Sequence, residues 1–169
     1  MDVLLVSDTS VLIDLHRAGI LDAVFTLPMQ FAVPDLLYER ELKDWDGPAL
    51  QAKGLRILTL EPDGVELAQA YRRREPRLSL PDAFALSLAK TGGHTLLAGD
   101  SSLRAQARLE DIECHGVLWV FDALKGHGVL PAADLATSLR QLADHPRCRL
   151  PKAEIQKRLE AYEANTQRP

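Results

Sequence analysis

The sequence predicts an α/β protein: a three-layer α/β/α sandwich around a parallel sheet of about four or five strands. Two observations carry this prediction. Short apolar runs recur along the chain, too continuous for a sheet with one wet face, and helical patterns alternate with them. The chain has 169 residues, enough for one domain with its own core and too few for two. We therefore expect residues 1–169 to form a single domain, with 117–163 as a helical C-terminal extension of it.

The N-terminal half shows this alternation from its start. "DVLLVS" predicts the first strand, and "TSVLIDLHRAG" a helix that ends at Gly19. "QFAV" predicts the second strand, after which Pro34 and Asp35 begin the helix "DLLYERELKDW". Turn residues in "DGPAL" predict a break in the pattern. "LRILTL" predicts the third strand and "DGVELAQAYRRR" the helix after it.

The second half continues the pattern and then becomes helical. "SLPDAFALSLAKTGG" is a helix rich in Ala and Leu that closes on Gly92 and Gly93. "HTLLAG" predicts the fourth strand, "SSLRAQARL" a helix and "IECHG" a fifth strand. Three helices follow from Val117: "VLWVFDALKGHG", "PAADLATSLRQLADH" and "PKAEIQKRLEAYEA". The last residues, "NTQRP", are typical of a frayed tail.

Composition narrows the class of protein without giving its function. The formal charge is −4, from 24 acidic and 20 basic residues, whereas surfaces dedicated to nucleic acid are usually basic. An acidic active site would itself lower that total. Cys114 and Cys148 have no partner at ligand spacing and are typical of thiols in the cytoplasm. We expect no signal peptide and no membrane span, because no apolar run approaches the required length of about 20 residues.

Acidic residues recur where the predicted strands end. Asp8 follows the first strand and Asp100 the fourth, at carboxyl ends, where α/β sheets bind ligands. Asp82 lies in the first turn of its helix, and Glu39 follows the second strand by one to two helical turns. Carboxylates gathered there would repel each other unless a cation lay between them. Hard oxygen ligands suit Mg²⁺ or Mn²⁺, the ions that assist phosphodiester hydrolysis.

A purely structural interpretation of the same aspartates is available. Asp is favoured at helix caps and in first helical turns, where it meets free backbone N–H groups. Ser79 and Asp82 also fit the capping pattern S-x-x-[DE]. The residue spacing alone leaves the metal site and the caps open as alternatives.

The set as a whole resembles the PIN-domain family of metal-dependent nucleases. The matching pieces, in the family's order, are "LLVSDTSVLIDL", "FAVPDLLYEREL", "LSLPDAFALSLAKTGGHTLLAGDSSLRAQA" and "GVLWVFDALKGHGVLP", and they cover most of residues 2–131. The resemblance implies the α/β/α sandwich, and it implies that Asp8, Asp82 and Asp100 bind Mg²⁺ or Mn²⁺ together with a helix glutamate. Ser10 matches a position that commonly carries a hydroxyl or amide.

The resemblance does not decide which glutamate of this sequence takes the family's position. "LLYEREL" offers Glu39 and Glu41, which a helix points in different directions because each residue turns it by about 100°. Both can flank an apolar face. We favour Glu39, and we expect Glu41 to be a surface residue.

The C-terminal third resembles the extension of toxin-type (VapC-like) PIN proteins. The similar stretch begins at "GVLWVFDALKGHGVLP" and runs through the last two predicted helices. The resemblance implies an RNA substrate, a cognate antitoxin protein as partner, and a homodimer.

Basic residues near the predicted site have two interpretations. The run "YRRREPR" could guide a phosphate backbone, or it could be a solvated helix end where cations favour the dipole. Arg104 and Arg108 share a helix face just after Asp100 and are equally ambiguous. None of the five histidines has a second ligand at metal-binding spacing, so we expect none to be catalytic.

The resulting hypothesis is a metal-dependent endoribonuclease that hydrolyses RNA phosphodiester bonds as the toxin of a toxin–antitoxin pair. Its catalytic residues would be Asp8, Glu39, Asp82 and Asp100, with Ser10, Glu41 and Arg104 in support. Two rival hypotheses remain: a catalytically idle partner-binding module, and a phosphate-handling metalloenzyme with the same acidic rim and no toxin role.

Overall fold

A five-stranded sheet organises the first part of the structure, a computed structural model that describes residues 3–166. All strand pairs are parallel, and the order is β3-β2-β1-β4-β5. The strands are β1 (Val3–Ser7), β2 (Met29–Pro34), β3 (Arg56–Leu58), β4 (Thr95–Leu97) and β5 (Cys114–His115). The predicted α/β class with a parallel sheet is confirmed.

The described residues also form ten α-helices and one π-helical turn. These are α1 (Thr9–Arg17), α2 (Leu21–Val24), α3 (Asp35–Leu37), the π-helical turn Tyr38–Leu42, α4 (Gly47–Lys53), α5 (Pro62–Arg74), α6 (Leu80–Gly92), α7 (Ser101–Leu109), α8 (Val117–Gly126), α9 (Ala132–Ala143) and α10 (Lys152–Thr166). The predicted tail began at Asn165, which lies in α10, and its last three residues fall outside the described residues.

The strand order reverses direction beside β1. The chain passes from β1 to β2 and β3 on one side, then returns to place β4 on the other side of β1. In this register Ser7 pairs with Leu97, so β1 and β4 end side by side. A crevice at such a reversal, beyond the carboxyl ends of the strands, is where open α/β sheets bind ligands.

Helix α6 is the most buried helix beside the sheet. Its residues from Ala83 to Ala89 are all buried, and it packs against β1, β2, β4 and α5. The Ser79 side chain caps its start by accepting from the Asp82 N–H at 3.2 Å, and Gly93, with φ of 65°, ends it. Burial of this apolar helix fixes where its first turn, with Asp82, lies.

Two helices and one turn differ from the sequence prediction. The predicted break around "DGPAL" is present as a turn over residues 43–46, but it ends earlier than expected, because α4 begins at Gly47 with Pro48 in its first turn, a position that proline tolerates. Helix α2, of four residues, was not predicted. The predicted helix from Asp35 changes into a π-helical turn, in which the Lys43 N–H donates to the Tyr38 carbonyl at 2.8 Å, five residues back.

The described residues group into two compact units. One contains the sheet and comprises the described residues up to Val11 together with Pro28–Gly116. The other comprises Leu12–Leu27 and the residues from Val117 onward. The single domain with 117–163 as its extension stays a prediction.

The helical unit has its own apolar core and polar ties. Phe121 and Tyr162 are almost fully buried in it, and Arg158 donates two hydrogen bonds, of 2.8 and 2.9 Å, to the Asp122 carboxylate. The Gln141 side chain donates to the Arg17 carbonyl at 2.8 Å, which ties α9 to the end of α1. No helix in residues 3–166 is both long enough and apolar enough to cross a membrane.

Candidate metal centre

Asp8 is the buried acidic residue at the reversal of the sheet. It follows β1 directly and is only 2% exposed. Its Oδ1 accepts a hydrogen bond from the Val11 N–H at 2.8 Å, as a helix cap does. Its Oδ2 accepts from the Ser10 hydroxyl at 2.8 Å and from the Gly99 N–H at 2.9 Å. One carboxylate thus joins the two loops that follow β1 and β4.

Burial sets the charge properties of Asp8. Desolvation raises the pKa of this carboxyl above its ordinary value, and the hydrogen bonds from Val11, Gly99 and Ser10 act in the opposite direction. The net direction is upward, so these donors offset the cost of a buried charge only in part. A cation beside Asp8 would remove the remainder.

Asp100 is held by the start of the next helix. It caps α7 by accepting from the Leu103 N–H at 2.9 Å through Oδ2, and its side chain is exposed. The capping interpretation therefore applies to Asp8 and Asp100 alike. A cap occupies part of a carboxylate's acceptor capacity and does not prevent it from facing a cation.

Asp82 is the carboxyl group whose pKa is raised by several other acidic side chains. Burial raises its pKa, the negative charges of Asp8, Asp100 and Glu41 raise it further, and the result is about 7. The Ser79 hydroxyl acts in the opposite direction and is the smallest of these influences. Four carboxylates from separate parts of the chain thus lie within electrostatic range of one point.

The glutamate of this group is Glu41, whereas the sequence favoured Glu39. Thr9, the residue after Asp8, donates a hydrogen bond from its hydroxyl to Glu41 Oε1 at 2.9 Å. Glu39 instead pairs with Lys43 at 3.2 Å, and both of those side chains are more than half exposed. The π-helical turn contains both glutamates, so directions read from an α-helical repeat do not apply to them.

Arg104 brings a positive charge to the same edge of the sheet. Its Nη1 atom would lie 3.4 Å from a Cβ placed on Gly116, just past β5. Burial raises the pKa of Cys114 in β5. The charge of Arg104 acts to lower this pKa, and the charge of Asp8 acts to raise it. Arg104 and Asp8 of the acidic cluster therefore both influence the same residue, Cys114. The Arg104 side chain itself is exposed to solvent.

Two residues of this arrangement, Thr9 and Gly99, were not expected from the sequence. Thr9 holds Glu41, and Gly99 donates its N–H to Asp8. A Cβ on Gly99 would lie 2.5 Å from Ser10 Oγ, so any larger residue there would force the Ser10 hydroxyl to move. The sequence signal was present in "LAGD", where a glycine separates a buried strand from an aspartate.

The donor chemistry fits a small hard cation that keeps part of its water shell. Among the described residues, no group of three or more His, Cys, Asp or Glu side chains is arranged so that it could hold a metal ion by direct contact alone. Mg²⁺ commonly takes only one or two protein carboxylates directly and retains several waters. Aspartates that bind such an ion partly through water would agree with the raised pKa of Asp82.

Comparisons with known proteins agree with the architecture. A family model described as a PIN domain matches residues 4–164. Among solved structures, a PilT N-terminus domain protein from the hyperthermophilic archaeon Sulfolobus solfataricus P2 is similar, with a TM-score of 0.51 and 12% sequence identity. The match covers 72% of this chain and 92% of that one. No curated protein sequence matches the chain.

Proposed function

The chain belongs to the PIN-domain family, and from this premise we propose that it is a Mg²⁺- or Mn²⁺-dependent endoribonuclease. PIN domains are generally nucleases, which supports hydrolysis of phosphodiester bonds. The observation that carries the proposal is the crowding of negative charge around Asp82, whose pKa reaches about 7 through burial and the charges of three other carboxylates. Helix capping alone does not require carboxylates from separate parts of the chain to lie near one another, whereas a functional site commonly does.

The side chains have separate roles in the proposed site. Asp8, Asp82 and Asp100 would hold the cation, and Glu41 would assist directly or through water. The Ser10 hydroxyl and Gly99 N–H fix the orientation of Asp8, and the Thr9 hydroxyl fixes that of Glu41. When bound, a divalent ion supplies an activated water and stabilises charge on phosphoryl oxygens. Arg104 would contact a phosphate of the substrate.

The direct test is cleavage of a mixed RNA pool by purified protein with Mn²⁺, with EDTA, and with Mn²⁺ restored. We expect cleavage only when the ion is present, with defined ends on mapping. Asp100→Asn is the matched variant, because asparagine caps a helix about as well as aspartate and keeps the start of α7 intact. Its loss of cleavage with an unchanged melting temperature supports the proposal, whereas full activity in Asp100→Asn or in EDTA contradicts it.

We extend the proposal to a toxin whose activity a small antitoxin protein restrains, with the chain acting as a homodimer. The support is the sequence resemblance of the C-terminal helices to those of toxin-type PIN proteins. Induced expression should arrest growth in wild type and not in Asp100→Asn, and the protein encoded beside it should restore growth. Unimpaired growth of cells that produce active enzyme would remove the toxin role and leave the ribonuclease role standing. Light scattering tests the dimer.

A further inference from the structure

The arginines of the run "YRRREPR", at the end of α5 and just past it, differ in whether a carboxylate pairs with them. Arg74 pairs with Glu110 at 2.8 Å and donates to Gln106. Arg77 pairs with Glu75 at 3.0 Å, and this contact lowers the pKa of Glu75. Two arginines of the run are therefore already neutralised by carboxylates of the sheet unit.

Arg72 and Arg73 differ from Arg74 and Arg77 in this respect. The Arg72 guanidinium donates from Nε to the Leu78 carbonyl at 3.2 Å, which orients it without cancelling its charge. Within residues 3–166, neither Arg72 nor Arg73 forms an ion pair with a carboxylate. Cations in a last helical turn do favour the helix dipole, but that effect requires no cleft beside them.

An open cleft of about 470 Å³ lies against these two side chains. Its lining residues are Gln69, Arg72, Arg73, Pro76 and Leu80. The guanidinium groups suit phosphate oxygens, and the apolar Pro76 and Leu80 suit a sugar. None of the five is aromatic, so the cleft offers no platform for base stacking and suits contacts to the backbone instead.

The cleft and Asp82 share the first turn of α6. Leu80, which lines the cleft, is the first residue of that helix, and Asp82 lies two residues farther on, about 3 Å along the helix axis and about 200° around it. The carboxylates around Asp82 repel phosphates, so a strand approaching them needs positive charge close by. Arg72 and Arg73 bring positive charge to a cleft that includes the first residue of the helix that carries Asp82.

We infer that this cleft binds the phosphate backbone of the RNA substrate, through Arg72 and Arg73 and without sequence preference. The inference rests on the proposed ribonuclease function and adds a path for the substrate. It also gives a role to part of the "YRRREPR" run, for which the sequence left two interpretations open.

The test compares two double variants that lose the same two positive charges. Arg72→Gln/Arg73→Gln alters the cleft, and Arg77→Gln/Arg140→Gln removes two arginines that are paired elsewhere, with Glu75 and with Glu163. Binding of a labelled single-stranded RNA of about 12 nucleotides is followed by fluorescence anisotropy in EDTA, which prevents metal-dependent cleavage, over a series of salt concentrations.

We expect the cleft variant to bind about 25-fold more weakly than wild type at about 0.1 M salt, because each phosphate contact contributes a slope of about 0.7 in log affinity against log salt. Its slope should fall by about 1.4, while the control keeps the wild-type slope. Equal binding by wild type and both variants, with wild type still cleaving RNA, overturns the inference alone. Absence of both binding and Mn²⁺-dependent cleavage in wild type overturns the proposed function, and this inference with it.

Discussion

The Gly99 N–H donates a hydrogen bond of 2.9 Å to Oδ2 of Asp8, across 91 positions of the chain. This bond joins the loop after β1 to the loop after β4, where the order of the strands reverses. The same oxygen accepts from the Ser10 hydroxyl. The orientation of Asp8 therefore depends on a glycine that itself carries no functional group.

Gly99→Ala should disturb Asp8 through Ser10. The new methyl would lie 2.5 Å from Ser10 Oγ, so that hydroxyl must turn away and lose its bond to Asp8. We expect a loss of about 0.5–1.5 kcal/mol in unfolding free energy and a several-fold loss of RNA cleavage. Urea denaturation and cleavage rates measure the two effects.

A double-mutant cycle provides the control for Gly99→Ala. Ser10→Ala removes the same hydroxyl without the clash, so Gly99→Ala should add little once Ser10 is alanine. Additive effects of the two substitutions would show that the methyl acts on something other than Ser10.

Glu41→Gln should reduce Mn²⁺-dependent cleavage at least tenfold, since Glu41 is the glutamate that acts on Asp82. Glu39→Gln is its matched control, two residues away in the same π-helical turn and with the same change of charge. It should keep near wild-type activity and nearly wild-type stability, because its ion pair with Lys43 is exposed to solvent. The opposite ranking of the two variants would return the role to Glu39.

Asp82→Asn should stabilise the metal-free protein at alkaline pH. The folded-state pKa is about 7 and the unfolded value is about 3.9, so the folded state binds this proton more tightly. Wild type therefore loses stability as pH rises from about 4 to 7, and the loss stays constant above that range. The variant should gain about 1–2 kcal/mol at pH 8, after allowance for solvent screening, and nothing at pH 4.

Denaturation in EDTA at those two pH values tests this expectation. Glu39→Gln again serves as control, because it removes a charge from outside the cluster. A gain in Asp82→Asn that was the same at both pH values would mean that packing, and not charge, caused it.

Stabilisation of the wild type by Mn²⁺ should increase with pH. Below its pKa of about 7 Asp82 binds a proton that an ion must displace, whereas at pH 8 the carboxylate is ionised. The rise in melting temperature with Mn²⁺ should therefore be larger at pH 8 than at pH 6. In Asp82→Asn the rise should be smaller and nearly the same at both pH values. An identical rise in wild type and variant would remove Asp82 from the cation site.

The fold was predicted well from the sequence, and the places of Asp8 and Asp100 after strands follow from the same pattern. Asp8 and Asp100 interrupt buried apolar runs at strand ends, and parallel strands bring such ends to one edge of the sheet. Asp82 was harder, because its place after Ser79 is also that of a capping residue. Its electrostatic contact with distant carboxylates favours the metal-site interpretation, which remains a prediction.

The glutamate and helix α4 lay beyond sequence reasoning for different reasons. Choosing between Glu39 and Glu41 required the hydrogen bond that spans five residues from Lys43 to Tyr38, and side-chain periodicity does not reveal such a bond. Helix α4 was missed because "DGP" is typical of a turn. Here Gly47 and Pro48 begin a helix instead, and Leu50 within it is fully buried.

The π-helical turn Tyr38–Leu42 also has a consequence for comparing this chain with its relatives. Such a turn accommodates one residue more than an α-helical turn, while Leu37 and Leu42 on either side stay fully buried. A relative one residue shorter here would keep the same two anchors. Its alignment gap therefore belongs between them, and a glutamate matched by counting forward from β2 would be assigned to the wrong column.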